Sequence, residues 1–325
     1  MHDARRRKLC CIIATAALFP ADLAFAQAYP AKPVKLVVPF PAGGTVDLVG
    51  RAVGNFLSSD LDRQFIVENL PGAGSIVGTQ VVAKSLADGY TVCLSYLSHV
   101  AAPLFVKTAY DPVKDFRAAS VFAWGRSVAV VPTSSSIKSL QDLVAAAKAN
   151  PGKLNYLNPG NGTLAHLSTE LLKLNTGANI QSVSYKGLPP AMTDLLNGTL
   201  DFAMLSFPFP DAFFKDGKLR AIAMLADERD PQFPDVPTYR EQGFASSSLK
   251  TWYALLLPAR TPDAIVARLN GAMNRLLDSD SAREKLTTLS LTPAAPSTPA
   301  AADHIIAEDA KRIADLVRRA GIKIQ

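Results

Sequence analysis

The sequence predicts an α/β protein of two lobes, each built on a mixed, mostly parallel sheet, with a two-strand hinge between them. Three observations carry this. Short runs rich in β-branched and aromatic residues alternate with stretches of helical periodicity, the pattern of βαβ units. Several runs lead through glycine- and proline-rich turns into a helix start, at Pro41–Thr45, Pro71–Gly74 and Asn158–Thr163. A length of 325 residues, 48% of them hydrophobic and 19% charged, suits a packed chain of about two domains.

A segment of another kind precedes the fold. Arg5, Arg6, Arg7 and Lys8 stand before an uncharged stretch from Leu9 to Phe19, and Ala24-Phe25-Ala26 is an A-x-A site. That order reads as a secretory signal peptide over residues 1–26, cleaved before Gln27. The apolar stretch falls short of the ~20 residues that a spanning helix needs. Its removal takes four basic and two acidic residues, so the formal charge falls from +6 to +4, and no basic run remains in the body of the chain. Nucleic-acid binding is therefore not indicated. Only Cys93 survives cleavage, so no internal disulfide is expected, and its place in Thr91-Val92-Cys93-Leu94 reads as an inert thiol in a buried strand.

The elements follow in order. Val34–Val38 is a β-branched strand, and Val46, Val49, Val53 and Leu57 recur at helical spacing over Val46–Leu57. Phe65–Glu68 is the second strand, Ile76–Ser85 the second helix and Thr91–Ser95 the third strand. Ser127–Val131 begins the second lobe, followed by helices over Ser139–Ala149 and Leu164–Leu174 and a strand over Gln181–Tyr185. Pro189 and Pro190 introduce a short helix over Ala191–Leu196, then come strands over Phe202–Leu205 and Leu219–Leu225. The return gives a strand over Trp252–Leu257 and helices over Pro262–Leu277 and Pro299–Arg319, the last with Thr298 as cap. Ala123–Val131 and Ser246–Ser248 are the crossings between lobes. Lobe 1 then comprises residues 27–128 and 250–325, and lobe 2 residues 129–249.

Enzyme signatures are missing: no G-x-S-x-G, no H-E-x-x-H, no P-loop, and no metal-like spacing among His99, His166 and His304. Gly72-Ala-Gly74-Ser-Ile-Val-Gly78 has G-x-G-x-x-x-G spacing and lacks the acidic residue of a dinucleotide fingerprint, so it reads as a tight strand-to-helix turn. Neither a cofactor nor a metal is called for. The informative features are glycine loops at helix starts. In the first, Phe40, Ala42, Gly43 and Gly44 lead to Thr45, read as the helix cap, and to Asp47 in the first turn. Small residues there let backbone N–H groups and the positive helix end face an anion, above all a carboxylate. Asp47 either stabilises the dipole or meets the ligand. The second loop runs through Gly160, Asn161, Gly162 and Thr163, a second cap, to His166 one turn into the helix. Tyr185 and Lys186 end a strand where the lysine could neutralise an acid, and Tyr96, Ser98 and His99 follow the third strand toward the same cleft.

Ten segments stand out in order along the whole mature chain: Tyr29–Pro33, Val38–Gly44 with Asp47, Val67–Gly74, Asp88–Thr91, Tyr110–Phe116, Ala149–Tyr156, Gly160–Thr163, Tyr185–Gly187, Gly217–Ala221 and Pro234–Thr238. Taken together, they resemble the Bug family of solute-binding receptors of tripartite tricarboxylate transporters. The resemblance implies a periplasmic binding protein of type II-like fold, a monomer that closes its two lobes on a small carboxylate. It also implies delivery to membrane permease subunits, with no catalysis. Ligand contact is expected from the two glycine loops, partly through backbone amides. The chain departs from the family pattern at Asn158-Pro159, at Ser184 and at Met204-Leu205-Ser206, which stands in the cleft wall where Phe-Asp-Asn is frequent. The last change removes an acid and favours a plain or aromatic carboxylate over an amino acid. A ligand-presenting sensor is the alternative within this reading, and a secreted enzyme the alternative outside it.

Overall fold

The computed structural model describes residues 29–226, 228–244, 249, 251–319 and 321–322, so the signal-peptide assignment and the Ser246–Ser248 crossing lie outside the described residues. The first sheet holds β1 (Val34–Val38), β2 (Phe65–Asn69), β3 (Thr91–Tyr96), β4 (Phe116–Gly125), β10 (Thr251–Pro258) and β11 (Leu291–Pro293), in the order β11-β4-β10-β3-β1-β2. The second lobe holds β5 (Ser127–Pro132), β6 (Asn155–Asn158), β7 (Gln181–Ser184), β8 (Ala203–Ser206) and β9 (Leu219–Met224). There β8-β5-β9 form one ladder and β6-β7 another, and a parallel bridge from Tyr156 to Phe202 joins them.

Both sheets are mixed for one reason. β1 runs parallel to β2 and β3, but β10 inserts antiparallel between β3 and β4. In the second lobe β6 and β7 are parallel, and β5 inserts antiparallel between β8 and β9. β5 directly follows the crossing from the first lobe, and β10 directly follows the stretch 245–250. Such strands enter their sheet from the hinge end, opposite to the βα units around them. The first crossing is a single residue, Arg126, between β4 and β5.

Ten helices among the described residues cover the sheets: α1 (Thr45–Asp60), α2 (Ile76–Ala83), α3 (Ser98–Ala101), α4 (Leu140–Ala149), α5 (Leu164–Thr176), α6 (Leu188–Leu196), α7 (Asp211–Lys215), α8 (Asp263–Asp278), α9 (Asp280–Thr288) and α10 (Pro299–Arg319). Strand alternation sends Leu36, Leu94, Tyr253 and Leu255 to the face under α1 and α8, where Val49, Val53, Leu57, Leu269 and Met273 meet them. Val37, Cys93, Trp252 and Leu256 point to the other face, against Ile76, Ala302 and Ile306. A strand covered on both sides reads as a continuous apolar run, which is why β10 is buried at every residue. Each such side chain contributes about 1.5–3 kcal/mol by leaving water. Cys93 is the inert core thiol expected: it is fully buried and unpaired, and burial pushes its pKa up to about 12.

One expected cap forms: Thr298 Oγ1 accepts from Ala301 N at 3.2 Å. Ser139, expected as the first helical residue, is instead the cap of α4, its Oγ accepting from Asp142 N at 3.0 Å. Three strands, β4, β6 and β11, and three helices, α3, α7 and α9, were not expected. In β4 the run Ala118-Ala119-Ser120 has weak strand propensity, and its pairing partner β10, far along the chain, supplies what local sequence does not.

α10 is tied to the sheet at two points: Asp303 Oδ1 accepts from Ala118 N at 2.6 Å, and in the core Trp252 Nε1 donates to Asp309 Oδ2 at 2.9 Å. Asp309→Ala leaves this indole N–H unpaired in the core, so stability should fall by about 1–3 kcal/mol. The urea midpoint should drop with an unchanged slope; an unmoved midpoint would show that α10 docks without this bond.

Candidate functional site

The first glycine loop is built by one carboxylate. Asp47 is buried; its Oδ2 accepts from Gly43 N at 2.8 Å and from Arg51 Nε at 2.9 Å, and its Oδ1 from Asn69 Nδ2 at 2.9 Å. Asn69 Nδ2 also donates to Phe40 O at 3.0 Å, closing the loop onto the end of β2. Burial raises the carboxyl pKa, but the hydrogen bonds from Arg51, Gly43 and Asn69 outweigh it and the net shift is downward. Asp47 stays ionised with both oxygens engaged, so it shapes the loop. Asn69 lies within the Val67–Gly74 segment, but the sequence reading did not single it out.

The loop leaves α1 without a cap. Gly44, not Thr45, holds the N-cap position, and it brings no side chain to the helix N–H groups. Thr45 is the first helical residue, and its Oγ1 donates across the cleft to Ser206 O at 3.1 Å, which is why it cannot serve as the cap. α5 is left open in a different way. Thr163 does occupy the N-cap position, but its Oγ1 turns back to donate to Gly160 O at 2.6 Å. Asn158 shapes this loop: its Oδ1 accepts from Gly160 N, and its Nδ2 donates to Asn161 Oδ1 and Ser182 Oγ. His166 Nδ1 accepts from Gly162 N at 3.2 Å, and burial holds the ring below its usual pKa, so His166 is a neutral acceptor. α6 also lacks a side-chain cap, but Pro189 and Pro190 have no N–H, which leaves Leu188 as its main free donor.

The lobes meet at glycines. A Cβ on Gly187 would lie 2.5 Å from Pro41 Cγ, one on Gly74 2.5 Å from Asn161 O, and one on Gly162 2.6 Å from Ala102 Cα and N. All three also have positive φ. At the floor of the cleft Tyr96 OH and Ser206 Oγ share a hydrogen bond of 2.6 Å.

Two adjoining recesses lie between the lobes. The inner one, of about 50 Å³, takes the start of α1 at Gly44, Thr45 and Val46, the start of α5 at Thr163, Leu164 and Ala165, and the side chains of Phe40, Tyr96, Met204 and Ser206. No charged side chain lines it. The outer one, of about 310 Å³, is lined by Phe40, by Gly72–Ser75, by Gly160 and Asn161, and by Tyr185 and Lys186. Pro41, Pro159 and Gly187 line both.

The expected residues therefore separate into three groups. Phe40, Gly44, Tyr96, Thr163 and Ser206 line the inner recess, and Phe40, Gly160, Asn161, Tyr185 and Lys186 the outer. Ala42, Gly43, Asp47, Ser98, Gly162 and His166 line neither. Ala42 and Gly43 are exposed at the loop tip, Gly162 packs on Ala102, and Ser98 Oγ donates to Ser75 Oγ behind the Gly72 turn. His166 faces a separate groove with Glu170 and Lys173. His99 is withdrawn from the cleft; it is buried, with Nε2 2.7 Å from Pro112 O. Sequence reasoning missed Leu164 and Leu188, which look like ordinary core residues, placed Met204 in the cleft wall only through the family resemblance, and treated the Gly72 turn as structure alone, although it forms the outer wall in lobe 1.

Comparison with known proteins agrees with this geometry. A family model described as "Tripartite tricarboxylate transporter family receptor" (TctC) matches residues 49–322. Protein BugT of Bordetella pertussis is 35% identical over 303 residues, covering 92% of this chain and 93% of BugT. Among solved structures, the periplasmic binding protein BugD superposes with a TM-score of 0.86 at 28% identity, covering 91% of this chain and all of BugD. Rpa4515 of R. palustris with adipate gives 0.86 at 31% identity (90% of this chain, 98% of that one). MatC of Rhodopseudomonas palustris with bound malate gives 0.84 at 31% (89% and 100%). The two-lobed fold is thus that of the periplasmic binding proteins, and the chain belongs to the Bug (TctC) family of tripartite tricarboxylate transporter receptors.

Proposed function

We propose that this protein is exported to the periplasm with loss of residues 1–26, captures a small carboxylate between its lobes without transforming it, and delivers it to membrane permease subunits. The observation that carries the reading is the inner recess. Two helix starts from opposite lobes converge on it, both lack a side-chain cap, and no charged side chain competes with an anion for their N–H groups. Relatives whose structures hold adipate and malate support the same ligand class. The crossing at Arg126 supports a division into lobe 1 (27–128 and 250–325) and lobe 2 (129–249), working as a monomer. Of the expected ligand residues, those lining the two recesses are the ones we assign to contact. Asp47, Asn158 and His166 shape the loops that present the backbone.

Both lobes supply donors only when closed, so a ligand that bridges them shifts the population toward that state. A thermal-shift screen of mono-, di- and tricarboxylates and aromatic acids should find at least one that stabilises the protein, by about 2.7 kcal/mol at 100 times its Kd. Stabilisation by neutral sugars and by no carboxylate would refute the reading. Deletion of the gene should abolish uptake of that acid; loss of induction with uptake intact would make the protein a sensor.

Closure itself is testable at Gly187. In Gly187→Ala the methyl group meets Pro41 at a φ of +102° that alanine rarely adopts. The open form has no such collision. If the variant populates the closed form about tenfold less, carboxylate affinity falls about tenfold, because apparent affinity scales with the competent fraction. Isothermal titration of wild type and variant measures this; equal affinities would show that the ligand binds without bringing Gly187 to Pro41.

A further inference from the structure

We propose that His166 is a positioning residue that ties closure of the lobes to pH: its neutral ring supports the closed cleft, and its protonation opens the cleft and weakens the hold on the ligand. The inference rests on the carboxylate reading above and adds the regulation of that site.

Two contacts of the ring belong to closure. Nδ1 accepts from Gly162 N at 3.2 Å, and Gly162 is the residue that docks on Ala102 of lobe 1 so closely that a Cβ there would lie 2.6 Å from the Ala102 backbone. The ring itself meets Phe105 of lobe 1 edge to face, with centroids 5.0 Å apart. Leu164, Leu167 and Leu171 of the same helix share one apolar cluster with Phe105, Leu97 and Tyr96, so closing seats this side of α5 on lobe 1. In the closed form the ring is buried, yet it borders a groove of about 520 Å³ that gives protons a way in.

An imidazolium fits neither contact. With a hydrogen on each nitrogen, Nδ1 has no lone pair left for the Gly162 N–H, and two donors face each other. Phe105 covers the ring without offering an acceptor, so a charged ring there is desolvated without a new partner. The charged groups that face the ring are Glu170 and Lys173 on its own helix. Among the described residues, β6, β7, the second glycine loop and the turn at Gly321 and Ile322 present to the groove only Asn158, Asn161, Ser182, Ser184 and uncharged backbone or apolar atoms. Glu170 attracts an imidazolium and Lys173 repels it, but Lys173 Nζ holds Glu170 Oε1 at 2.8 Å and both ride on α5, so they act alike in the open and closed forms. What closing adds is Phe105 and the seating of Gly162, and both disfavour the proton. Burial accordingly holds the closed-form pKa below its usual value. In the open form the ring is clear of Phe105 and takes up a proton at higher pH. Above both values closure is indifferent to pH. As pH falls through the open-form value, the open form is protonated first and affinity drops; below both values the drop levels off.

Isothermal titration at pH 8 and pH 5.5 with malate, adipate, citrate and benzoate tests the proposal. Any of these acids that binds should bind the wild type at least threefold more weakly at pH 5.5; an open-form ring with the ordinary imidazole pKa of 6.5 limits its own share of the loss to about tenfold. His166→Asn keeps an acceptor, Oδ1, at the place of Nδ1 and does not titrate, so whatever affinity it has at pH 8 should fall at least threefold less on acidification. The acid's own carboxyl groups titrate alike with both proteins, so the ratio of the two losses isolates the ring. NMR of histidine-labelled wild type needs no variant and decides where the variant does not fold or bind: saturating acid should move the His166 titration to lower pH. Equal losses in wild type and variant, or a His166 titration that stays or rises, overturn the proposal alone. Binding of none of the four acids at pH 8 overturns it together with the carboxylate reading.

Discussion

A backbone N–H can face a ligand only where no side chain caps it and no side chain stands before it. The rest of this structure depends on that constraint. Each helix leaves its first donors without an intrahelical partner, and most helices in proteins satisfy one of them with Ser, Thr, Asp or Asn. α4 and α10 do so here, far from the cleft. At the cleft the same residue types are present but turned away: Thr45 reaches to Ser206, and Thr163 to Gly160. The donors remain available because the hydroxyls beside them are used elsewhere.

An open loop needs other groups to hold its shape, and buried polar side chains do this. Asp47 and Asn69 fix the first loop, Asn158 and His166 the second, and each points its polar atoms at loop backbone or at one another. These are residues that sequence inspection tends to assign to the ligand, since buried carboxylates, amides and imidazoles often mark function. In this chain they line neither recess. Asp47 is held ionised by its own partners, and His166 is kept neutral by burial, so neither presents a free charge to the recess.

The βα alternation, the strands Val34–Val38, Thr91–Tyr96 and Thr251–Pro258, and the two glycine loops were legible in the sequence because local pattern determines them. β4 was not, because its alanine-rich stretch becomes a strand only through β10, and a long-range partner leaves no local mark. The division within the site follows the same logic. Gly160 and Asn161 line a recess and Gly162 does not, although the three are consecutive. Position in the motif says that a turn exists; the docking of Gly162 on Ala102 decides which of its residues face inward. Met204 and Leu205 are equally apolar, and only the strand register places one at the recess and the other in the core behind it.

Closure draws on the same glycines. At Gly187, Gly74 and Gly162 the lobes approach through backbone and proline atoms, and the direct polar bonds across the floor among the described residues are few: Ser206 with Thr45 and Tyr96, and Tyr253 OH with Phe207 O. A handful of neutral hydrogen bonds, each worth about 0.5–1.5 kcal/mol net, does not hold two lobes together against the freedom they lose. The crossing is fixed more firmly: Arg126 donates to Ser290 O in the first lobe and to the Asp230 carboxylate and Gln232 in the second. A pivot anchored to both lobes, with weak contacts at the cleft, gives an equilibrium that is readily shifted. On the proposed function, a ligand that meets α1 and α5 together would decide it, because only such a ligand would interact differently with the two states.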